Sequence, residues 1–484
     1  MEHKSYDLIV IGGGAIGENV ADRAVQGGLK TVIVEAELVG GECSYWACMP
    51  SKALLRGGAV LDLARRTPGV SEMLSGTIDV GRVLARRNSV TSEWKDDGQL
   101  EWLESAHIDL VRGHAVFTGP KALRVTGPDG TVTELTASHA IAVATGSLPL
   151  IPDTPGLAEA EPWASREATS AKRIPDSLAI IGGGVVAAEM ATAYTSLGAQ
   201  VTLIARGSLL ANQEPFAGEA VAAALRKAGA DVKLGTSVER VESGKPGEPG
   251  AGHTLLLSDG SAVVAEQILV ATGRTPRTGD LGLEAIGLPT GEYLKTDDSL
   301  RVLGPDGAPI DWLYAAGDVT GRALLTHQGK YQARIAGDAI AARALGKPVD
   351  TSPWGVHSAT ADHAAVPQVT FTSPEVASVG LTAAEAEKRG IRTRVVDYDL
   401  GWVAGATIHS EGYEGKARAV VDEDRHVLVG VTFVGADVGE LLHAATIAVT
   451  AEVPIERLWH AVPSYPTLSE VWLRLLEAYG RPTA

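Results

Sequence analysis

The stretch of sequence that decides the fold runs from residue 6 to residue 17 and reads YDLIVIGGGAIG. Its first half is an apolar, β-branched run, which is typical of a buried strand. Three glycines end this run, and residues 15–25 then have a helical pattern. A second apolar run, at residues 31–34, follows the helical residues and stops at Glu35. The order strand, turn, helix, strand is that of a Rossmann unit in an α/β fold.

The glycines of this turn have the spacing G-x-G-x-x-G, at Gly12, Gly14 and Gly17. In a dinucleotide site the first glycine permits a tight turn, the second lets a pyrophosphate approach, and the third lets the helix pack closely on the strand. The phosphate charge would lie at the helix N-terminus, where free N–H groups point outward. Glu35 lies where a carboxylate would accept a hydrogen bond from a ribose hydroxyl.

The same pattern returns after residue 177. An apolar run at residues 178–181 precedes Gly182 and Gly184, Ala187 takes the third small position, and a second apolar run follows at residues 201–204. One such pattern alone can be an incidental turn. Two copies in the same strand and helix context predict that the chain binds two dinucleotides.

The second copy ends differently from the first, because Ala205 and Arg206 stand where Glu35 stands in the first copy. A carboxylate there would repel a 2′-phosphate, whereas an arginine would pair with it. We therefore expect the second site to prefer NADPH to NADH. A solvated surface arginine is the alternative reading of Arg206.

Composition narrows the class of protein. The chain has 484 residues, a net charge of -17 and 45% hydrophobic residues, as expected for a globular protein of several domains. The acidic balance argues against nucleic-acid and anionic-membrane partners. No apolar run approaches the roughly 20 residues that span a bilayer, and a strand is predicted within a few residues of the start. These features predict a cytoplasmic protein.

The chain's two cysteines, Cys43 and Cys48, lie in the segment GGECSYWACMPSK at residues 40–52. Residues i and i+5 of a regular helix are roughly 8 to 9 Å apart at Cα, whereas a disulfide needs about 4.4 to 6.8 Å. The pair can form a bridge only if the helix start is distorted, which the preceding glycines and Pro50 favour. Two unpaired thiols or a zinc site are the alternatives, although zinc would require further Cys or His ligands.

The cysteine segment, placed after a dinucleotide motif, resembles that of the class I pyridine nucleotide-disulfide oxidoreductases, such as dihydrolipoamide dehydrogenase, glutathione reductase and mercuric reductase. The resemblance covers nearly the whole chain. It includes the segments ATG, ATGR, YAAGD, FTSPEVASVGLT and YPTLSE, at residues 144–146, 271–274, 314–318, 371–382 and 465–470.

The resemblance implies an α/β fold with two Rossmann-like domains and a C-terminal α+β dimerisation domain. Residues 1–148 and 271–346 would bind FAD, residues 149–270 would bind NAD(P)H, and residues 347–484 would form the interface of a homodimer with a shared active site.

The resemblance also implies roles for single residues. Those expected to contact FAD are Gly12, Gly14, Gly17, Glu35, Thr145, Gly146 and Asp318, the last near the ribityl chain. Those expected to contact NADPH are Gly182, Gly184, Ala187, Arg206 and Gly273. The expected catalytic residues are Cys43, Cys48, Lys52, Glu189, Tyr465 and Glu470. Among these, Cys48 would face the flavin, Cys43 would exchange with substrate, and Lys52 would pair with Glu189. No metal is expected.

The sequence departs from the family at its end, where Tyr465 replaces the acid-base histidine that precedes Glu470 by five residues. A histidine titrates near about 6.5 and a tyrosine near about 10, so tyrosine exchanges protons with a thiol less readily at neutral pH. His460 is an alternative acid-base group, and an ordinary interface histidine is the plainer reading. Mercuric reductases share the tyrosine but carry a C-terminal cysteine pair, which this chain lacks.

Three functions follow from these features. The first is NADPH-dependent reduction of an unidentified small disulfide through Cys43 and Cys48. The second is a diaphorase that reduces quinones, dyes or metal ions, which the Tyr465 substitution favours. Tyr45 and Trp46 between the cysteines would stack on an aromatic acceptor or simply pack against their neighbours. The third is a non-catalytic flavoprotein whose redox state governs partner binding.

Overall fold

The computed structural model describes residues 2–244 and 252–481. Within these residues the chain forms 22 strands. In chain order they are β1 Glu2–Ile11, β2 Thr31–Glu35, β3 Asp109–Arg112, β4 His114–Gly119, β5 Ala122–Thr126, β6 Val132–Val143, β7 Ser147–Pro149, β8 Ser177–Ile181, β9 Gln200–Ala205, β10 Asp231–Leu234, β11 Val238–Ser243, β12 His253–Leu257, β13 Ala262–Ala265, β14 Gln267–Val270, β15 Arg274–Pro276, β16 Arg301–Leu303, β17 Pro309–Ala315, β18 Pro367–Thr370, β19 Glu375–Gly380, β20 Thr393–Asp399, β21 Lys416–Asp422 and β22 Val427–Gly435.

The same residues form 15 α-helices. They are α1 Ala15–Gln26, α2 Gly41–Tyr45, α3 Cys48–Arg65, α4 Val80–Val90, α5 Asp97–Ser105, α6 Ser165–Ser170, α7 Val185–Ser196, α8 Pro215–Lys227, α9 Thr326–Ala344, α10 Ala361–Ala364, α11 Ala383–Lys388, α12 Ala404–His409, α13 Leu442–Thr450, α14 Ile455–Leu458 and α15 Val471–Tyr479. None of these helices is both long and apolar enough to cross a membrane.

The described chain divides into two compact units. The first comprises residues 2–50, 88–149 and 274–362, and the second comprises residues 51–87, 150–244, 252–273 and 363–481. The limits of the FAD-binding, NAD(P)H-binding and dimerisation domains stay predictions, because compactness alone assigns no cofactor to a segment.

The first unit is built on a sheet of eight strands. Strands β17, β6, β1, β2 and β3 lie side by side and run parallel, as a Rossmann unit requires. Strands β16, β4 and β5 extend this sheet with antiparallel pairings. The central strand β1 is buried on both faces: Leu8 and Val10 pack with α1 and α9, and Ile9 and Ile11 pack on the opposite face. This burial explains why β1 reads as a continuous apolar run.

The second unit contains two larger sheets. Strands β10, β9, β8 and β14 form a parallel sheet in that order, and helix α7 packs on it through Ala187, Ala191 and Tyr194. Strands β18, β19, β22, β21 and β20 form an antiparallel sheet, covered by α13 and α15 around Phe433 and Leu475. The α/β class and the separate C-terminal α+β domain expected from the sequence are therefore confirmed.

Candidate active site

The cysteine pair lies at a break between two helices. Helix α2 ends at Tyr45, Trp46 leaves the helical region with φ -135° and ψ -1°, and α3 begins at Cys48. Gly40 and Gly41 enter the segment with φ of 107° and 58°, values that favour glycine. The helix start is thus distorted, which is the condition that bridging two cysteines five residues apart requires.

The structure holds Cys43 and Cys48 as thiols that hydrogen-bond to each other. The Cys48 Sγ atom also lies 3.2 Å from the Thr326 hydroxyl at the start of α9. The hydrogen bond with Cys48 and then burial raise the pKa of Cys43, while Thr326 and Lys330 act in the opposite direction. Cys48 is the first residue of α3, where the helix dipole favours an anion. The helix start therefore favours negative charge on Cys48.

Lys52 lies four residues after Cys48 on α3, and its ammonium is 2.8 Å from the Glu189 carboxylate. Glu189 lies on α7, is only 3% exposed, and also accepts a hydrogen bond of 3.0 Å from the Phe371 N–H. The Lys52 ammonium lies over the Phe371 ring, 4.8 Å from its centroid. The predicted Lys52–Glu189 pair is therefore formed, and Phe371 holds both partners.

The first glycine turn has the geometry of a dinucleotide cradle. A methyl group on Gly17 would lie 1.8 Å from the Gly12 carbonyl oxygen, so only glycine allows α1 to approach the end of β1. No side chain caps α1 at Gly14, which leaves the first N–H groups of the helix for a ligand. The Glu35 carboxylate accepts hydrogen bonds from the Gly13 and Glu37 N–H groups, at 2.6 and 2.7 Å.

Asp318 of the YAAGD segment contacts the residue that follows the ATG segment, within the same unit. The Asp318 carboxylate accepts a 2.6 Å hydrogen bond from the Ser147 hydroxyl, and Ser147 also accepts one from the Arg274 side chain. Thr145 donates a 2.7 Å hydrogen bond to the Arg277 carbonyl, and Gly146 follows it with φ 75°. Asp318 is therefore held in a fixed position, as a residue that orients a bound group requires.

The second glycine turn repeats the first. A methyl group on Gly182 would lie 2.2 Å from the Ala271 carbonyl oxygen, Ala187 is fully buried, and no side chain caps α7 at Gly184. Gly273 follows β14 with φ 157°. Arg206 comes directly after β9, is exposed, and forms no ion pair within the described parts of the chain. Its guanidinium is thus available to an anionic ligand.

Both glycine turns therefore fit dinucleotides. The first has a carboxylate in the ribose position, and the second has an unpaired arginine. These residues are compatible with a bound dinucleotide at each turn.

The C-terminal residues expected to be catalytic differ in their exposure. Tyr465 is 75% exposed and His460 is also exposed. Glu470 is buried, and its carboxylate accepts hydrogen bonds from the Arg474 guanidinium at 2.6 Å and the Ala404 N–H at 3.2 Å. These hydrogen bonds hold the Glu470 carboxylate in place within its own unit.

Sequence reasoning missed several contacts around the cysteines. The hydrogen bond of Thr326 to Cys48 and the position of Lys330 one turn later join segments that lie far apart in sequence. Glu18, directly after the first glycine motif, has a buried carboxylate oxygen with no hydrogen-bond partner among the described residues. Its position could have been noticed in the sequence, because an acidic residue in the first helical turn after a glycine motif is a readable signal. Tyr45 is 2% exposed and donates to the Lys95 carbonyl, so it packs inside the fold.

Comparison with known proteins identifies the family. Residues 6–337 match the pyridine nucleotide-disulphide oxidoreductase family, and residues 366–475 match its dimerisation domain. A mercuric reductase of Staphylococcus aureus is 32% identical over 475 residues, which cover 96% of this chain and 81% of the relative. A dihydrolipoyl dehydrogenase of Chlorobaculum tepidum is 34% identical over 483 residues, which cover 96% of this chain and 95% of the relative.

The fold is also that of a solved structure. The HOCl-induced flavoprotein disulfide reductase RclA from Escherichia coli superposes with a TM-score of 0.80, at 24% identity, covering 98% of this chain and 99% of that one.

The chain belongs to the pyridine nucleotide-disulphide oxidoreductase family. It is accordingly an oxidoreductase of a family that uses FAD and a pyridine nucleotide. Its dimerisation domain indicates a homodimer, as in the family.

Proposed function

We propose that this protein transfers electrons from NADPH through FAD to the Cys43–Cys48 pair and on to a small disulfide substrate. The observation that carries the proposal is the cysteine pair itself. Two thiols in hydrogen-bond contact, at a helix break that allows them to bridge, form a reversible dithiol and disulfide couple. The chain has no other cysteine, so within one chain these two can bridge only with each other.

The FAD site consists of Gly12, Gly14, Gly17, Glu35 and Asp318. Bound FAD would accept hydride from the nicotinamide and supply two electrons to the cysteine pair. Lys52, held by Glu189, places a positive charge that stabilises negative charge developing on an adjacent acceptor. Thr326 donates its hydroxyl hydrogen to Cys48 when that sulfur is a thiolate.

We propose NADPH rather than NADH as the nicotinamide dinucleotide because of Arg206. The exposed and unpaired guanidinium at the end of β9 would form charge-assisted hydrogen bonds with a 2′-phosphate. NADH has no such phosphate, and the arginine would make no compensating contact with its ribose hydroxyl.

The domain roles follow the motifs. Residues 1–148 and 271–346 would bind FAD, and residues 149–270 would bind NADPH. Residues 347–484 would form the interface with the partner subunit. The partner's Tyr465 and the partner's Glu470 would complete the acceptor site. A cytoplasmic location, where cysteines are kept reduced, agrees with reversible use of the pair.

In the interchange step, the Cys43 sulfur attacks one sulfur of the substrate disulfide. The substrate S–S bond breaks, a mixed disulfide forms, and the leaving thiolate takes up the proton that Cys43 released. Cys48, as a thiolate, then attacks the Cys43 sulfur and re-forms the Cys43–Cys48 disulfide, and the second substrate sulfur leaves as a thiolate that takes a proton from solvent. The substrate gains two electrons, and the cysteine pair loses them.

A diaphorase is the second candidate, and Tyr465 favours it. This residue stands where disulfide reductases have a histidine, and its side chain is 75% exposed. Electron transfer to quinones, dyes or metal ions requires no proton donor at that position. Mercury reduction in particular is not favoured, because the chain has only the two cysteines of the pair.

Replacement of Cys43 distinguishes the two candidates. With Cys43→Ser, we expect NADPH-dependent reduction of a panel of small disulfides to fall to background, while reduction of a quinone by the same enzyme continues. Ser44→Ala, at the neighbouring position of α2, serves as the matched control and should keep both activities. If wild-type enzyme reduces no disulfide in the panel but turns over quinone, the diaphorase function is correct.

A further inference from the structure

Cys43, the thiol that would exchange with substrate, has no evident base beside it in the described chain. Its hydrogen bond to Cys48 and its burial both raise the pKa of Cys43. A thiol must lose its proton before it attacks a disulfide. The histidine that serves this purpose in related reductases is replaced by Tyr465. Another group must therefore favour the thiolate, and the structure offers one on α9.

Lys330 lies on α9 four residues after Thr326. Residues four apart in a helix lie on the same face, and the Thr326 hydroxyl on that face is 3.2 Å from the Cys48 sulfur. Lys330 therefore lies on the side of α9 that faces the cysteine pair. Its positive charge acts to lower the pKa of Cys43, against the larger effects of the Cys48 hydrogen bond and of burial. No described side chain forms a hydrogen bond or ion pair with the Lys330 ammonium.

The charge of Lys330 also acts on Glu18, in the first turn of α1. One carboxylate oxygen of Glu18 is buried and has no hydrogen-bond partner among the described residues. Burial raises the pKa of Glu18 to about 7, Lys330 opposes this shift and Glu35 adds to it. The Tyr45 hydroxyl on α2 is the remaining titratable group that interacts with Glu18. Glu18 is thus neutral below about pH 7 and anionic above it.

We propose that Lys330 supplies the positive charge that stabilises the thiolate of Cys43, and that Glu18 controls how much of this charge the thiolate experiences. The inference rests on the proposed function, since it concerns Cys43 as the interchange thiol. When Glu18 is neutral, Lys330 acts on the sulfur alone. When Glu18 is anionic, part of the positive charge is compensated and the thiolate is stabilised less. Lys330 does not itself exchange a proton with substrate.

The test measures Cys43 directly. The FAD-loaded enzyme is reduced at the cysteine pair and alkylated with iodoacetamide across a series of pH values, and alkylation of the Cys43 peptide is followed by mass spectrometry. We expect Lys330→Met to move the alkylation profile to higher pH and to slow alkylation near pH 8 by roughly three- to tenfold. Lys330→Arg should retain the wild-type profile, because it retains the charge.

Glu18→Gln tests the second half of the proposal. It should match the wild type below about pH 7 and be alkylated faster above it, since glutamine never becomes anionic. Lys347→Met is the matched control, because Lys347 follows α9 and is exposed. Flavin absorbance and thermal unfolding show that each variant is folded.

Superimposable profiles of wild type and Lys330→Met would overturn the inference, as would a Lys330→Arg profile as slow as that of Lys330→Met. Alkylation requires no disulfide substrate. A Lys330-dependent profile in an enzyme that reduces no disulfide would therefore refute the proposed substrate class and support the role of Lys330.

Discussion

Arg206 is the residue on which the proposed preference for NADPH rests. It replaces the carboxylate that ends the corresponding strand of the first glycine unit, and it has no partner within the described residues. We expect Arg206→Ala to raise the KM for NADPH roughly tenfold, since charge-assisted hydrogen bonds contribute about 1.5 to 3 kcal/mol and this site is exposed. The KM for NADH should change little.

Steady-state kinetics with both nucleotides measure this effect. Arg240→Ala serves as control, because Arg240 is an exposed arginine of the same unit that pairs with Glu242. An equal change in KM for NADPH and NADH would show that Arg206 does not contact the 2′-phosphate.

At the residue scale, motif residues could be predicted and their supporting contacts could not. Gly12, Gly17 and Glu35 are readable because each is required by local geometry within one strand, turn and helix. The Lys52–Glu189 pair came only from the family resemblance. Thr326 contacts Cys48 and the charge of Lys330 acts on Cys43 because of how α9 packs, and local sequence pattern contains no information about such distant interactions.

Helices α1 and α9 pack closely because glycine stands at their contact. A methyl group on Gly337 of α9 would lie 2.6 Å from the Arg23 Cβ and 2.8 Å from the Val20 carbonyl oxygen of α1. We expect Gly337→Ala to destabilise the protein by about 1 to 3 kcal/mol through overpacking, although alanine is the better helix former. Chemical denaturation with flavin fluorescence and circular dichroism measures the change.

Gly98 provides the matched control, since it also lies in a helix but has open space around its Cα. Gly98→Ala should leave stability unchanged or raise it slightly. A Gly337→Ala variant as stable as Gly98→Ala would mean that α1 and α9 separate easily, contrary to the packing described here.

At the element scale, the sequence predicted the strands and helices around both glycine turns to within a few residues of their observed ends. Strand β1 was the exception at one end, since it begins at Glu2 and includes the polar residues before the apolar run. Those residues pair with β6, which is distant in sequence, so tertiary pairing rather than local pattern extends the strand. For the helix break at Trp46, the sequence predicted only that the helix start must be distorted if the two cysteines are to bridge.

At the scale of the whole molecule, the dimerisation domain of the family indicates a homodimer. The C-terminal domain exposes apolar side chains that a partner subunit would cover. Val462 is 85% exposed and Ile408 is 75% exposed. We expect light scattering to give twice the chain mass for the wild type. Val462→Asp should shift the population toward the single chain, because burying an unpaired charge at an interface is unfavourable.

Val264→Asp is the control for this change, since Val264 is also exposed, at 66%, but lies in β13 outside the dimerisation domain. That variant should remain dimeric. A wild-type protein with the mass of one chain would contradict the dimer.

The measurement that tests the central claim most directly is an anaerobic titration of the FAD-loaded protein with NADPH, followed by absorbance. If Cys43 and Cys48 form a redox couple beside the flavin, the protein takes up two hydride equivalents, and a long-wavelength thiolate band appears before the flavin bleaches. If one equivalent bleaches the flavin and no such band appears, the cysteine pair lies outside the path of electrons, and the proposed disulfide reduction is wrong.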